Sequence, residues 1–186
     1  MHRPSTFIRR FLTDETAAGV LEAVIVLPLL VWTYLAMFVY WDAFSTRNTV
    51  QKATYTVSDM ISREMNPMSQ AYLNGLLRVL DYLVDENQTI TLRVSCVTWN
   101  ETRARNEILW SYAPQGLMPV LTTALIQGDA FRNRIPQMAD SDTAIIVETA
   151  IGYDPAFDVG LNSFNIQEFI VTRPRFVPEI CFGSIC

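Results

Sequence analysis

The sequence predicts an α+β protein: a long N-terminal helix, then a small antiparallel sheet with further helices. Three observations predict it. An uncharged apolar run extends from Ala23 to Trp41. Apolar residues recur at three- and four-residue steps beyond that run and again from Leu73 to Val84, the period of a helix with one buried face. Three later segments instead alternate apolar and polar residues or concentrate β-branched ones, as strands do.

The apolar run has about 19 uncharged residues, enough to span a bilayer core as a helix. It exceeds the core of a cleaved secretory signal, and no small-residue cut site comes after it. Tyr34, Phe38, Tyr40 and Trp41 gather at its far end, as aromatic residues do at a membrane interface. Arg3, Arg9 and Arg10 precede it, so the excess of basic residues places the N-terminus in the cytoplasm and the rest of the chain outside. Pro28 lies inside the run, where it removes one helix hydrogen bond and favours a kink.

Glu22 stands one turn inside the start of this segment. An ionised acid at bilayer depth costs roughly 2.5–3.5 kcal/mol on insertion scales, so the segment is more than a plain anchor. Two readings of Glu22 stand: it pairs with a cation of a neighbouring subunit, or it stays hydrated at headgroup level.

Beyond Trp41, Val50, Ala53, Val57, Met60 and Ile61 keep the helical period, with Asn48, Gln51, Lys52, Ser58 and Arg63 on the other face, until Pro67. One helix over about 18–64 is expected, with two helices broken near Trp41-Asp42 as the alternative. Leu73, Leu76, Leu77, Leu80 and Leu83-Val84 predict a second helix, ended by a turn at Asp85-Glu86-Asn87. Ile90, Leu92, Val94 and Cys96 alternate with Thr91, Arg93 and Ser95, the pattern of a half-buried strand. Ile108–Tyr112 is its expected partner across a polar loop from Asn100 to Asn106. Helix is favoured between Pro119 and Arg134, with Leu121, Leu125 and Phe131 on one face. Thr143–Ile151 and Gln167–Thr172 complete four strands, and Pro174 and Pro178 keep the C-terminal segment out of a central strand. The expected organisation is a basic cytoplasmic leader over 1–17, a transmembrane helix over 18–41, its amphipathic continuation over 42–66, and an α+β head over 67–186.

Composition narrows the function. The chain has 186 residues and a net charge of −5, which disfavours nucleic acid as a partner. Lys52 is its only lysine and His2 its only histidine. Most acid–base and metal chemistry uses histidine, so neither catalytic residues, a metal site nor a cofactor is expected. Asp154, Asp158 and Glu148 are read as solvated turn residues, since their spacing matches no calcium loop. The three cysteines leave two pairings open, Cys181 with Cys186 across a Gly183-Ser184 turn, or Cys96 with one tail cysteine.

Two segments carry a resemblance. The stretch from Phe11 to Leu30 (FLTDETAAGVLEAVIVLPLL) resembles the N-terminus of TadE/TadG-like pseudopilins of the tight-adherence (Tad, type IVc) pilus system. That family has a basic leader, an F-x-x-D-E-x-G-A-x-x-x-E-F box and an apolar run with Leu-Pro-Leu. Ala17 stands where the family has glycine before its cut, and Ala23 where it has an aromatic residue. Arg173-Pro174-Arg175-Phe176-Val177-Pro178-Glu179-Ile180-Cys181 resembles the RPR-x-x-P-x-x-C ending of many such proteins. The resemblance implies a pilin-like fold and a non-enzymatic minor-pilin role in Tad pilus assembly. It implies prepilin peptidase cleavage between Ala17 and Ala18, with Glu22 five residues past the cut. The implied partners are the other Tad pseudopilins, the major pilin, the inner-membrane assembly platform, prepilin peptidase and the lipid bilayer. The implied location is the inner membrane, single-pass, with the head periplasmic. The competing expectation is a single-pass envelope protein whose periplasmic domain binds a ligand in an apolar pocket.

Overall fold

A computed structural model describes residues 16–84 and 89–186, with side chains described from Gly19 onward. Residues 1–15 of the expected basic leader over 1–17, and the Asp85-Glu86-Asn87 turn, lie outside the described residues.

The elements are α1 (Thr16–Ser62), α2 (Gln70–Val84), β1 (Ile90–Asn100), β2 (Arg105–Tyr112), a 3-10 turn (Pro114–Gly116), α3 (Thr123–Ile126), α4 (Asp129–Arg132), β3 (Thr143–Tyr153) and β4 (Phe164–Thr172). The chain divides into two compact units. One holds the described residues through Asp42 with Pro155–Leu161, and the other Ala43–Asp154 with Asn162–Cys186.

α1 is continuous for 47 residues and has no break near Trp41-Asp42. At 1.5 Å per residue it is about 70 Å long. In the first unit its residues are largely exposed, and Phe38 meets Phe157 of the same unit edge-on, with centroids 6.3 Å apart.

In the second unit α1 buries Val50, Ala53, Thr54, Val57, Ser58, Ile61 and Ser62. These are the i, i+3, i+4, i+7 positions of one face. The structure corrects two assignments within that face: Ser58 is buried and Met60 is exposed. The buried stripe runs down the Thr54–Ser58–Ser62 row, whose short side chains admit close packing. Two of their hydroxyls are satisfied locally, Thr54 donating to the Val50 carbonyl (2.8 Å) and Ser62 to the Asp59 carbonyl (2.8 Å). Thr54 also shares a 2.8 Å hydrogen bond with Thr149 of β3, which fixes the sheet face that α1 covers. α2 starts at Ser69, whose hydroxyl accepts from the Tyr72 amide, and buries Leu73, Leu76, Leu77, Leu80 and Val84; Leu83 is exposed.

The four strands form one antiparallel sheet in the order β2-β1-β3-β4. β1 differs from the half-buried strand expected: Arg93, Ser95 and Val97 are buried together with Ile90, Leu92, Val94 and Cys96. Its second face is covered by the excursion between β2 and β3, where Leu121, Ile126, Ile135 and Met138 pack with Val97, Ala144 and Ile146. That excursion is not the helix expected over Pro119–Arg134. It makes two single turns, α3 capped by Thr122 and α4 after Gly128. Ile126 points inward and Leu125 outward, because the turn starts at the cap and not at the proline.

The strands are also longer than expected. β1 and β2 pair to Asn100↔Arg105, so the polar loop shrinks to Glu101–Ala104. Glu107 ties the hairpin end by accepting from Arg103 and Arg105 (2.8 Å each). β3 continues through Gly152 to Tyr153, and β4 begins at Phe164.

Candidate functional site

The candidate site is the exposed stretch of α1. Every residue from Gly19 to Tyr34 is exposed, Tyr34 at 73%. A continuous apolar surface of this size marks a membrane or protein interface, because each methylene removed from water is worth about 0.8 kcal/mol. The helix is long and apolar enough to cross a membrane. Gly19 to Trp41 spans roughly 34 Å, against about 30 Å of hydrocarbon. The Thr33 hydroxyl donates to the Leu29 carbonyl (2.8 Å), which satisfies a polar group inside the stretch.

Glu22 is exposed on this stretch and makes no ion pair with any described residue. At 100° per residue it shares a face with Ile25, Val26 and Leu29. Pro28 lies inside the helix about 120° away, so the two do not act on the same neighbour. Away from Glu22, on a face centred roughly 150° round the helix, the surface is hollowed by a shallow groove lined by Gly19, Val20, Ala23, Val24, Leu27 and Pro28. Small side chains at Gly19 and Ala23, four residues apart, let a second helix approach closely. Ala17 and Ala18 are helical, and their side chains lie outside what the structure describes.

The C-terminal segment secures α1 in the second unit. The Arg175 amide donates to the Ser62 carbonyl (2.8 Å), one of the acceptors a helix end leaves open, and the Arg175 guanidinium reaches Asp59 (2.6 Å). Arg173 pairs with Asp142 (2.6 Å), and the Met68 amide donates to the Cys181 carbonyl (2.8 Å). The Trp110 indole donates to the Ile180 carbonyl (2.8 Å), and Phe182 stacks on Trp110. Cys181 is bonded to Cys186. Gly183 turns the loop between them at φ +60°, a conformation that glycine adopts without a Cβ penalty, and its amide donates to the Met68 carbonyl.

Cys96 is a free, buried thiol. Burial and, secondarily, the Glu179 carboxylate push it up from 9.0 to about 12. A thiol raised in this way contributes stability that is complete below about pH 9 and is lost as pH rises toward 12. In the native protein at pH 8, a thiol reagent is therefore expected to label no cysteine, and one in guanidinium without reductant. Labelling by Ellman's reagent checks this; rapid native labelling would contradict a buried Cys96.

Sequence reasoning missed one group. Glu148 is not a turn residue: it lies in β3 directly opposite Arg93 of β1 and is buried there. The guanidinium grips both carboxylate oxygens, Nε at 2.6 Å and Nη2 at 2.7 Å, and Nη1 donates to the Pro119 carbonyl (2.5 Å). The available signal was one arginine in β1 and one glutamate as the only charge within Ala144–Ile151. Asp154 and Asp158 are exposed, as expected of solvated turn residues. The pair borders a cleft of about 320 Å³ whose other wall carries Phe131, Arg134, Gln167 and Phe169.

No family model, no curated protein and no solved structure matches this chain.

Proposed function

We propose that this chain is a non-enzymatic, pilin-like subunit of the TadE/TadG-like kind. It is held in the inner membrane by the first part of α1 and takes part in assembling a Tad-type pilus, with its second unit on the periplasmic side. Glu22 carries this reading. It is an acid on an exposed apolar helix, without an ion-pair partner among the described residues. Cleavage before Ala18 would create a positive α-amino group about one turn away. On a neighbouring subunit that amine meets the Glu22 carboxylate, and the pairing offsets the burial of both charges and sets the axial register. The resemblance at both ends of the chain supports the same reading. So do the structural bonds of the second segment: Arg175 holds the end of α1, and Arg173 and Cys181 tie the C-terminal segment to Asp142 and Met68.

The test is Glu22→Leu in the native host, with Glu22→Gln beside it. Expected is at least about a tenfold loss of surface pili and of co-purification with the other pseudopilins, at a membrane level within about twofold of wild type. The mature N-terminus, read by intact mass, is expected to be Ala18. Undiminished pilus assembly by the leucine variant would remove the pairing role.

A further inference from the structure

We infer that the outer edge of β4 is a docking site for an extended acidic strand of a partner protein, added to the sheet by backbone hydrogen bonds. This stands on the second unit alone and does not depend on the membrane reading.

The two edges of the sheet are treated differently. The β2 edge is closed from within the chain. The Ile108 amide donates to the Thr123 hydroxyl (3.1 Å), and the Asn106 carbonyl accepts from the Gln127 amide group (2.6 Å). The Ser111 hydroxyl takes the Leu121 amide (2.9 Å). β4, the other edge, pairs only with β3, without a bulge, from Phe164 to Thr172. No backbone hydrogen bond joins its outer side to any described residue. Alternate residues of such a strand turn both N–H and C=O outward. β4 has no proline, no lysine and no bulge, three of the devices that blunt an edge; its one charge, Glu168, is turned inward toward Arg47.

Charge identifies the occupant. A cleft flanks β4 on each face of the sheet, and each bears an exposed arginine. On the face that α1 covers, Arg47 stands beside Phe164, Asn165, Ile166 and Gln167 in a cleft of about 260 Å³. Its contact with Glu168 is long, 3.9 Å, with Arg47 65% exposed and Glu168 13%. On the opposite face, in the 320 Å³ cleft, the Arg134 guanidinium lies over the Phe169 ring at 4.1 Å. It has no acidic partner among the described residues. Side chains of an added strand alternate between the two faces. Two adjacent acidic residues on it would therefore reach Arg47 and Arg134 respectively. A second copy fits less well: β4 laid antiparallel on itself about its centre sets Glu168 against Glu168, a repulsive pair.

The test uses the full chain in detergent and a fluorescein-labelled nine-residue peptide of Thr and Val with two adjacent Glu at its centre. Anisotropy is expected to show micromolar binding that weakens with salt. Hydrogen exchange is expected to slow within Phe164–Thr172. Arg47→Glu and Arg134→Glu are each expected to weaken binding at least about tenfold, with Arg47→Gln and Arg134→Gln intermediate. Both arginines are exposed, and an unchanged circular dichroism spectrum certifies folding. A peptide with alternate backbone nitrogens methylated, blocking the ladder, is expected to bind at least about tenfold more weakly. The inference is overturned by no binding at millimolar peptide, by equal binding of a Gln-for-Glu peptide, by equal binding of the methylated peptide, or by protection away from β4. Self-association of the chain through β4 would also overturn it, by naming a second copy as the occupant.

Discussion

Arg93→Met alone is expected to destabilise the sheet-bearing unit by about 3–5 kcal/mol, the largest single effect in the molecule. Arg93 and Glu148 are only 7% and 10% exposed and bind each other twice. Removing the arginine leaves a largely buried carboxylate between the two central strands without the cation that binds it. The Pro119 carbonyl loses its donor at the same time. Arg93→Met with Glu148→Leu removes both charges and is expected to regain most of the loss, because two apolar side chains of similar volume need no solvation. The guanidinium midpoint, followed by near-ultraviolet circular dichroism on the detergent-solubilised chain, separates these outcomes. If the single variant is as stable as wild type, the pair is not a structural unit. If the double variant is as weak as the single, the loss comes from packing and not from the stranded charge.

Ile61→Ala is expected to cost about 3 kcal/mol by emptying space in the last turn of α1. Ile61 is fully buried in the stripe that α1 lays on the sheet, one turn after Val57 and beside Ser62. Met60→Ala, one residue away but exposed, is expected to cost less than about 0.5 kcal/mol. The contrast matters for function. The second half of α1 must stay docked on the sheet, and Ile61 is one of its fully buried anchors, with Val50 and Val57. Limited proteolysis after Arg63 should accelerate in Ile61→Ala and not in Met60→Ala. Equal behaviour of the two variants would show that this turn is not held by burial.

Much of this architecture is legible in the sequence because it obeys short-range rules. The apolar run, the stripe from Val50 to Ile61, the leucines of α2 and the alternation in β1 each report a local period, and local period fixes element type. The disulfide between Cys181 and Cys186 belongs with these, as one of two pairings left open, with its turn residue Gly183 in place. The errors cluster where burial depends on a distant segment. A polar hydroxyl argues for water at Ser58, yet it is buried because the small residue admits the sheet. A lone carboxylate argues for solvent at Glu148, yet it is buried because Arg93, distant in sequence, lies opposite in register. Leu125 and Ile126 exchange roles because the phase of one helical turn is set by the Thr122 cap.

The sequence by itself therefore determined that this chain has one long helix apolar enough to cross a bilayer, an acid placed within it, and four strands beyond. These rest on composition and period along a single stretch of chain, where each residue's neighbours are known in advance. Only the tertiary structure decided which sheet edge is closed and which is open, that both faces of β1 are covered, and that two opposite charges could be buried. Those outcomes depend on which surfaces meet. The free energy of a buried charge or an unpaired strand edge is set by a partner that local pattern does not reveal.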